Sequence, residues 1–418
     1  MDSTVSDIVA EGSLPAELAR CAGKAVLAAA LADARARSLA LFDAYEAALG
    51  AGLRVPCTPE LNLPLWELGH VGWFADWWIA RNPERHRGLQ ANPHAARHPA
   101  RQALRGLDAD GLFNSSTVPH DHRWALHLPP ADALRADLHD SLQDTLELLQ
   151  DAEETDTGLY FFRLALFHED MHAEAGVYMA QNLGFDPGCS ETPTAGTTNT
   201  PAPTPPPLAV PATTWPLGRS GPGFAFDNEL GAHPVALQAF EIDAHAVTWA
   251  QYLPFVDSGG AAQRTFWSEA GWAWRSRTAG MPRYLRRTDH GWEQRRHGQW
   301  QPLDLSATAC HLTAFEAQAW CQWAGRRLPT EAEWEAAAHM LPCFAWGAVW
   351  EWTASAFAPF PSFAPHPYVD YSAPWFDGRP VLKGASPATV ARMRHPKYRN
   401  YFTPERNDIV AGFRSVVV

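Results

Sequence analysis

Apolar positions recur at helical spacing through four long stretches of the chain. Residues 15–50, rich in Ala, Leu and Arg, read as one amphipathic helix. Residues 61–82, "LNLPLWELGHVGWFADWWIARN", read as a second, entered through Pro64 and ended near Asn82-Pro83. In residues 129–152 leucines fall at 134, 138, 142, 146 and 149, behind a start marked by Pro129 and Pro130. Residues 156–184 carry a fourth pattern, with Gly184 as its stop. Residues 83–128 between them are mixed and loop-like. Four long helices with one irregular segment predict a four-helix bundle.

The pattern then disappears. In residues 186–213 Pro and Thr dominate and no period survives, which marks a linker and a domain boundary. Beyond it, short runs such as "HPVALQAFEID", "PVLKGAS" and "AGFRSVVV" alternate with Gly, Pro and Asp turns. Two helices interrupt them, at 313–325 and 330–340. Each opens on a Thr-x-x-Glu capping box, Thr313/Glu316 and Thr330/Glu333. The prediction is an α+β multidomain chain: a bundle over 1–185, the linker over 186–213, and an irregular α+β domain over 214–418.

Composition narrows the function. A length of 418 residues favours more than one core. A formal net charge of −13 argues against a nucleic-acid scaffold, which needs a basic face. The first twenty residues carry acids where a signal peptide needs bases, and the apolar run at 25–32 is too short for a membrane span. A cytoplasmic protein without membrane contact is expected. Six cysteines form no C-x-x-C pair, so a structural zinc site or disulfide framework is not expected, and most read as buried thiols. Nineteen tryptophans suit a core, and also suit a pocket for a cationic ligand.

The chemistry concentrates in "LALFHEDMHAEAGVYM", residues 164–179. His168 and His172, four apart, share one face of a helix. The same residues spell H-E-x-x-H, the zinc-peptidase signature with Glu169 as base. That reading needs a third ligand downstream, where only Asp186 and Glu191 stand, at the edge of the linker. His70, midway along another bundle helix, is the better third ligand, since histidines on facing helices converge on an interior metal. Three neutral imidazoles leave up to three of six octahedral positions open, which suits Fe(II) that must take dioxygen and a substrate. The alternatives are the zinc peptidase, a surface histidine pair, and a hydrogen-bonded core His70 among Trp66, Trp73 and Phe74.

Several motifs carry a family resemblance. "GHVGWFADWW", "FNSSTVPHDHRW" and "LFHEDMHAEAGVY" resemble the DinB-like helical half of the ergothioneine-type sulfoxide synthases. "WAGRRLPTEAEWEAAA", "VWEWTASAFAPFP", "VLKGAS" and "HPKYRNYFTPERNDIVAGFRS" resemble their second half, which is similar to the formylglycine-generating-enzyme fold, itself C-type-lectin-like. Together they cover nearly all of the chain outside the linker, and the overall likeness is to the selenoneine synthase branch.

The resemblance implies a non-haem Fe(II) enzyme that uses dioxygen to join sulfur or selenium to C-2 of the imidazole of hercynine, N-trimethylated histidine. It implies His70, His168 and His172 as iron ligands, and Tyr368, or alternatively Tyr371, as the tyrosine that serves the oxygen chemistry. Asn400 and Tyr401 match a pair that touches hercynine. Asn400, Arg123 or Arg399 would hold its carboxylate. Three positions depart from the family pattern: Met171 stands where several members have Gln, Ala385 where a second Gly is usual, and Phe402 where members that accept γ-glutamylcysteine carry a carboxylate. Phe402 cannot hold an ammonium group. The expected donor is therefore an uncharged 1-selenosugar, with cysteine or γ-glutamylcysteine as alternatives.

Overall fold

The structure is a computed structural model that describes residues 13–100, 107–188, 204–278 and 280–418. The central part of the expected linker, 189–203, with Cys189 in it, and the first twelve residues lie outside the described residues. Four helices form the bundle: α1 (Lys24–Leu49), α2 (Pro64–Ala75), α3 (Ala131–Asp151) and α4 (Asp156–Leu183). Their limits follow local chemistry. Pro64 sits at the first turn of α2, where its missing N–H costs nothing. Gly184 takes the left-handed conformation, φ 93°, that ends α4. The expected single helix over 15–50 is instead two, because the chain breaks at Cys21–Gly23 between Ala16–Arg20 and α1. Glu154 caps the restart of the helix, its Oε1 accepting from the Lys24 N–H at 2.8 Å beside Gly23. A π-helical turn, Asp76–Ala80, continues α2.

The second half is the irregular α+β body expected. Strands β1 (Leu208–Val210), β4 (Phe240–Ile242), β13 (Val416–Val417) and β8 (Arg326–Arg327) form one sheet in that order. Strands β11 (Asn400–Tyr401), β10 (Pro380–Gly384), β9 (Trp350–Ala356) and β12 (Ala411–Gly412) form another, with β12 parallel to β9. Hairpin β2–β3 (Thr213–Leu217, His233–Leu237) and meander β5–β7 (Leu285–Thr288, Gly291–Arg296, Gln299–Pro302) complete it. Helices α5 (Trp249–Asp257), α6 (Ala314–Ala324) and α7 (Glu331–Met340) pack beside them. Both capping boxes form as read, on α6 and α7. The linker reading ran too far: Leu208–Val210 pairs antiparallel with Phe240–Ile242. Val210 is the side chain that strand buries, and a single inward residue gives no period to read.

The two halves share one hydrophobic core, running from Leu31 and Phe74 in the bundle to Tyr371, Tyr398 and Phe413 beyond it. Buried ion pairs also cross between them. Arg20 holds Glu229 at 2.6 and 3.0 Å, and Arg392 holds Asp170 at 2.6 and 2.7 Å. The cysteines correct one expectation: among the described residues Cys321 is buried and Cys310 half-buried, while Cys21, Cys57 and Cys343 are exposed. These three lie in connecting segments between elements, which run over the surface.

Three histidines away from the bundle core set a pH response. Burial lowers His311, His366 and His395 from 6.5 to about 4 each. The unfolded chain therefore binds more protons between those values, and stability, full above pH 6.5, drains as pH falls toward 4. Glu316, raised by burial from 4.5 to about 7, acts in the opposite sense, as do the buried Asp170, Glu174 and Asp227 carboxyls, also raised by burial; the three histidines set the sign expected here. Calorimetry should show the melting temperature falling from pH 7 to pH 5; a flat or rising profile rejects this account.

Candidate metal centre

Helix α4 carries the site. Its face toward α2 presents His168 and His172, and α2 presents His70 back to them. One ligand atom from each of the three lies within 4.8 Å of the other two. His70 and His168 are 2% and 3% exposed, so the group sits inside the protein. The short helix Ala109–Phe113, whose last carbonyl holds His70, packs closely on α2 at Gly69, where a Cβ would fall 2.2 Å from the Phe113 ring.

Each imidazole is held in place. His70 Nδ1 donates to the Phe113 carbonyl at 2.7 Å, which leaves Nε2 unprotonated and facing His168 Nε2 at 3.3 Å. His172 Nδ1 donates to Glu67 Oε2 at 2.5 Å. Trp66 stacks on His70 with ring centroids 4.6 Å apart, and Phe74 stacks on His168 at 3.5 Å. Burial, then the charge of His172, lowers His70 to about 3, and burial carries His168 well below its ordinary range. Burial would raise Glu67, but His172 holds it down at about 2. His70 and His168 kept neutral, with imidazoles oriented through their far nitrogens, are what a divalent metal of the first transition row requires. The residues fit an Fe(II) ion with open positions, and the H-E-x-x-H reading does not fit. Glu169 is buried and bonds Arg35 at 2.8 and 3.2 Å, so its carboxylate is engaged in a salt bridge with α1.

Glu67 was not among the residues expected from sequence, although the signal was present: it lies three residues before His70, on the same face of α2. Glu67→Gln should weaken metal binding roughly 10–100-fold, the usual loss when an orienting partner is removed. Titration of the metal-free protein with Fe(II) under anaerobic conditions measures this; unchanged affinity rejects the role.

The second half closes over the site along α4. The Tyr368 ring lies 5.1 Å from Phe74 and 6.2 Å from His168. Burial, with Asp370 nearby, pushes its phenol far above the ordinary range, so it stays protonated. The Tyr371 hydroxyl instead lies 3.1 Å from that of Tyr398 and 3.7 Å from Met171 Sδ, and its ring stacks on Phe226. Met171 Sδ thus takes the hydroxyls of two tyrosines, Tyr371 and, at 3.4 Å, Tyr398. The Tyr401 hydroxyl donates to the Tyr371 carbonyl, and the Tyr401 ring stacks on Phe357 at 4.0 Å. Asn400 sits beside it in β11, with Oδ1 accepting from the Tyr401 N–H at 2.9 Å. The Phe402 ring lies under the Arg406 guanidinium at 5.0 Å. Ala385 is fully buried at the end of β10.

Of the two arginines expected as carboxylate donors, Arg399 is a correction. It is buried and spends its fork on Glu331, at 2.8 and 3.0 Å, and on the carbonyls of Asn228 and Ala358. Arg123 is different. Its guanidinium lies 3.5 Å from the centroid of Trp66, the ring that covers His70, and its buried Nε has no hydrogen-bond partner.

Among the described residues no helix is long and apolar enough to cross a membrane. Residues 195–340 match the sulfatase-modifying factor enzyme 1-like domain family. The chain is 31% identical to the hercynine oxygenase of Mycolicibacterium thermoresistibile, with 94% of each chain covered. It is 30% identical to the hercynine oxygenase of Mycobacterium tuberculosis, over 93% of this chain and 97% of that one. The formylglycine-generating enzyme of Streptomyces coelicolor is 27% identical over 46% of this chain and 83% of its own.

Proposed function

We infer the reaction from one premise: this chain belongs to the hercynine oxygenase family. The protein is an Fe(II)- and dioxygen-dependent oxidoreductase that forms a carbon–selenium or carbon–sulfur bond at imidazole C-2 of hercynine. The observation that carries this reading is the convergence of His70, His168 and His172 on one point in a chain that matches the family over nearly its whole length. Iron held there supplies the redox chemistry that couples reduction of dioxygen to loss of the C-2 and chalcogen hydrogens.

The chain's own residues orient, shield and supply protons. Phe74 and Trp66 cover two of the imidazoles and keep water from them. Tyr368, held protonated beside His168, is the proposed proton or hydrogen-bond donor. Tyr371, bonded to Tyr398, is proposed to position the wall beside it. Arg123, with an open N–H next to the site, is proposed to take the hercynine carboxylate, and Asn400 with Tyr401 to line the substrate. The donor reading follows Phe402, whose ring meets an arginine and offers no carboxylate to an ammonium group. That favours a 1-selenosugar over cysteine or γ-glutamylcysteine.

The test is anaerobic loading with Fe(II) and hercynine, addition of a selenosugar, cysteine or γ-glutamylcysteine, then oxygen, with products identified by mass. A selenosugar adduct formed fastest supports the full proposal. A thiol adduct formed fastest overturns the donor reading, and no adduct with any donor overturns the reaction.

A further inference from the structure

Tyr368 comes to the histidine cluster from a segment of the second half that belongs to no helix or strand. A side chain on such a segment is held less precisely than one on a helix, so it needs support from its surroundings. Its ring has apolar neighbours, Phe74 at 5.1 Å and Trp78 at 5.9 Å between centroids. Apolar burial is not directional, so these contacts do not set where the hydroxyl points.

Two hydrogen bonds to the bundle half flank the tyrosine. Two residues before it, His366 Nδ1 shares a hydrogen bond with the Tyr160 hydroxyl at 3.1 Å, and the two rings meet edge to face. Two residues after it, Asp370 Oδ2 accepts from the Ser116 hydroxyl at 2.5 Å. Ser115, beside Ser116, hydrogen-bonds the Tyr368 phenol itself. Both anchors stand on elements that also hold the imidazoles. Tyr160 lies on α4, the helix of His168 and His172. Ser116 follows Phe113 by three residues, and the Phe113 carbonyl fixes His70. The segment is therefore located relative to the same two pieces of backbone as the cluster.

We propose that Ser116 and Tyr160 are positioning residues: through Asp370 and His366 they hold the Tyr368 segment against the bundle and keep its hydroxyl at the histidine cluster. The proposal rests on the oxygenase reading above and on the role given there to Tyr368. A proton or hydrogen-bond donor acts only within about 2.6–3.2 Å of its acceptor. A misplacement of about 1 Å, caused away from the chemistry, can cost roughly 100-fold in rate. Neither Ser116 nor Tyr160 has a reason of its own to touch substrate; each acts through the segment it holds. Ser116→Ala and Tyr160→Phe each remove one hydroxyl and leave the ring and backbone packing in place.

The experiment compares Ser116→Ala, Tyr160→Phe and the two together with wild type, by two readouts. The first needs no turnover. In metal-free protein, amide hydrogen exchange over residues 366–371 should speed about tenfold in the double variant, as loss of two hydrogen bonds implies, with exchange along α4 unchanged. The second is adduct formation by the iron-loaded enzyme. There kcat should fall about tenfold in the double variant, with the KM for hercynine and the iron content unchanged, the pattern of an interaction made only in the transition state. Ser116→Thr, which keeps a hydroxyl, should match wild type in both. In a Tyr368→Phe background the double variant should lose nothing further, because both residues act through that one hydroxyl. Unchanged exchange in the double variant overturns the proposal. So does an unchanged kcat, a loss confined to KM, or a further loss in the Tyr368→Phe background. Should Tyr160→Phe fail to fold, Ser116→Ala against Ser116→Thr decides by the same readouts, with an expected change of about threefold for one bond. A Tyr368→Phe variant as active as wild type overturns the role of that tyrosine, and a wild type that forms no adduct with any donor overturns the reaction. The exchange readout separates both of these from failure of the anchors.

Discussion

Substitution of His168 by alanine should leave the protein folded and strip it of the iron proposed to bind there. Three imidazoles are the whole ligand set found among the described residues, and His168 is buried between two of its neighbours: His70 Nε2 at 3.3 Å on one side and the Phe74 ring at 3.5 Å on the other. With two ligands left, one on each helix, the remaining pair binds a divalent ion weakly and leaves it open to exchange. Activity should fall by more than the roughly 10–100-fold that loss of an outer partner such as Glu67 costs. The fold survives because His168 is neutral in its site and makes no ion pair whose loss would strand a charge. The measurements are iron content per chain after anaerobic loading, circular dichroism and turnover. Full iron with full turnover would end the metal assignment, whereas an unfolded variant would move the test to His172→Ala, which sits nearer the surface.

The second large effect concerns how the halves are joined. Arg392→Ala should destabilise the protein by about 3–5 kcal/mol, the usual result when one partner of a buried pair is removed. Arg392 is fully buried and binds three carboxylate oxygens, two from Asp170 on α4 and one from Asp33 on α1, each at 2.6–2.7 Å. Burial already raises the Asp170 carboxyl despite that partner, so an Asp170 left alone would be costly to ionise. Against a total stability of roughly 5–15 kcal/mol for an ordinary domain, such a loss is large. Asp170 lies between the two ligand histidines on α4, so iron affinity should fall together with stability. Replacing both partners with apolar residues, Arg392→Met with Asp170→Leu, should recover much of the stability, because the stranded charge is then gone. Urea unfolding of the single and double variants decides this; a single variant within 1 kcal/mol of wild type rejects it.

Much of the local structure was legible because it is set by near neighbours in the chain. Pro64 opens α2, Gly184 closes α4, and Thr313/Glu316 and Thr330/Glu333 form their capping boxes, since each depends on contacts within four residues. Where reading failed, a distant contact decided. The restart of α1 at Lys24 is capped by the distant Glu154, and strand β1 exists because Phe240–Ile242 accepts it. The same holds at the site. His168 and His172 share a face by spacing alone, but Arg399 and Arg123 look alike in sequence. Only the fold spends one on Glu331 and leaves the other with an open N–H beside Trp66.

By itself, then, the sequence determined the four long bundle helices and several of their ends, the two capped helices of the second half, the change of texture between the halves and the candidate imidazoles, because periodicity and capping are short-range effects. The tertiary structure alone decided that His70 faces the pair, that Glu67 rather than Glu169 supports it, and that one core runs through both halves. Those outcomes depend on which buried charges find partners across the fold. A carboxylate taken out of water must be paired by whatever cation the packing brings within reach, and no interval along the chain specifies which one that is.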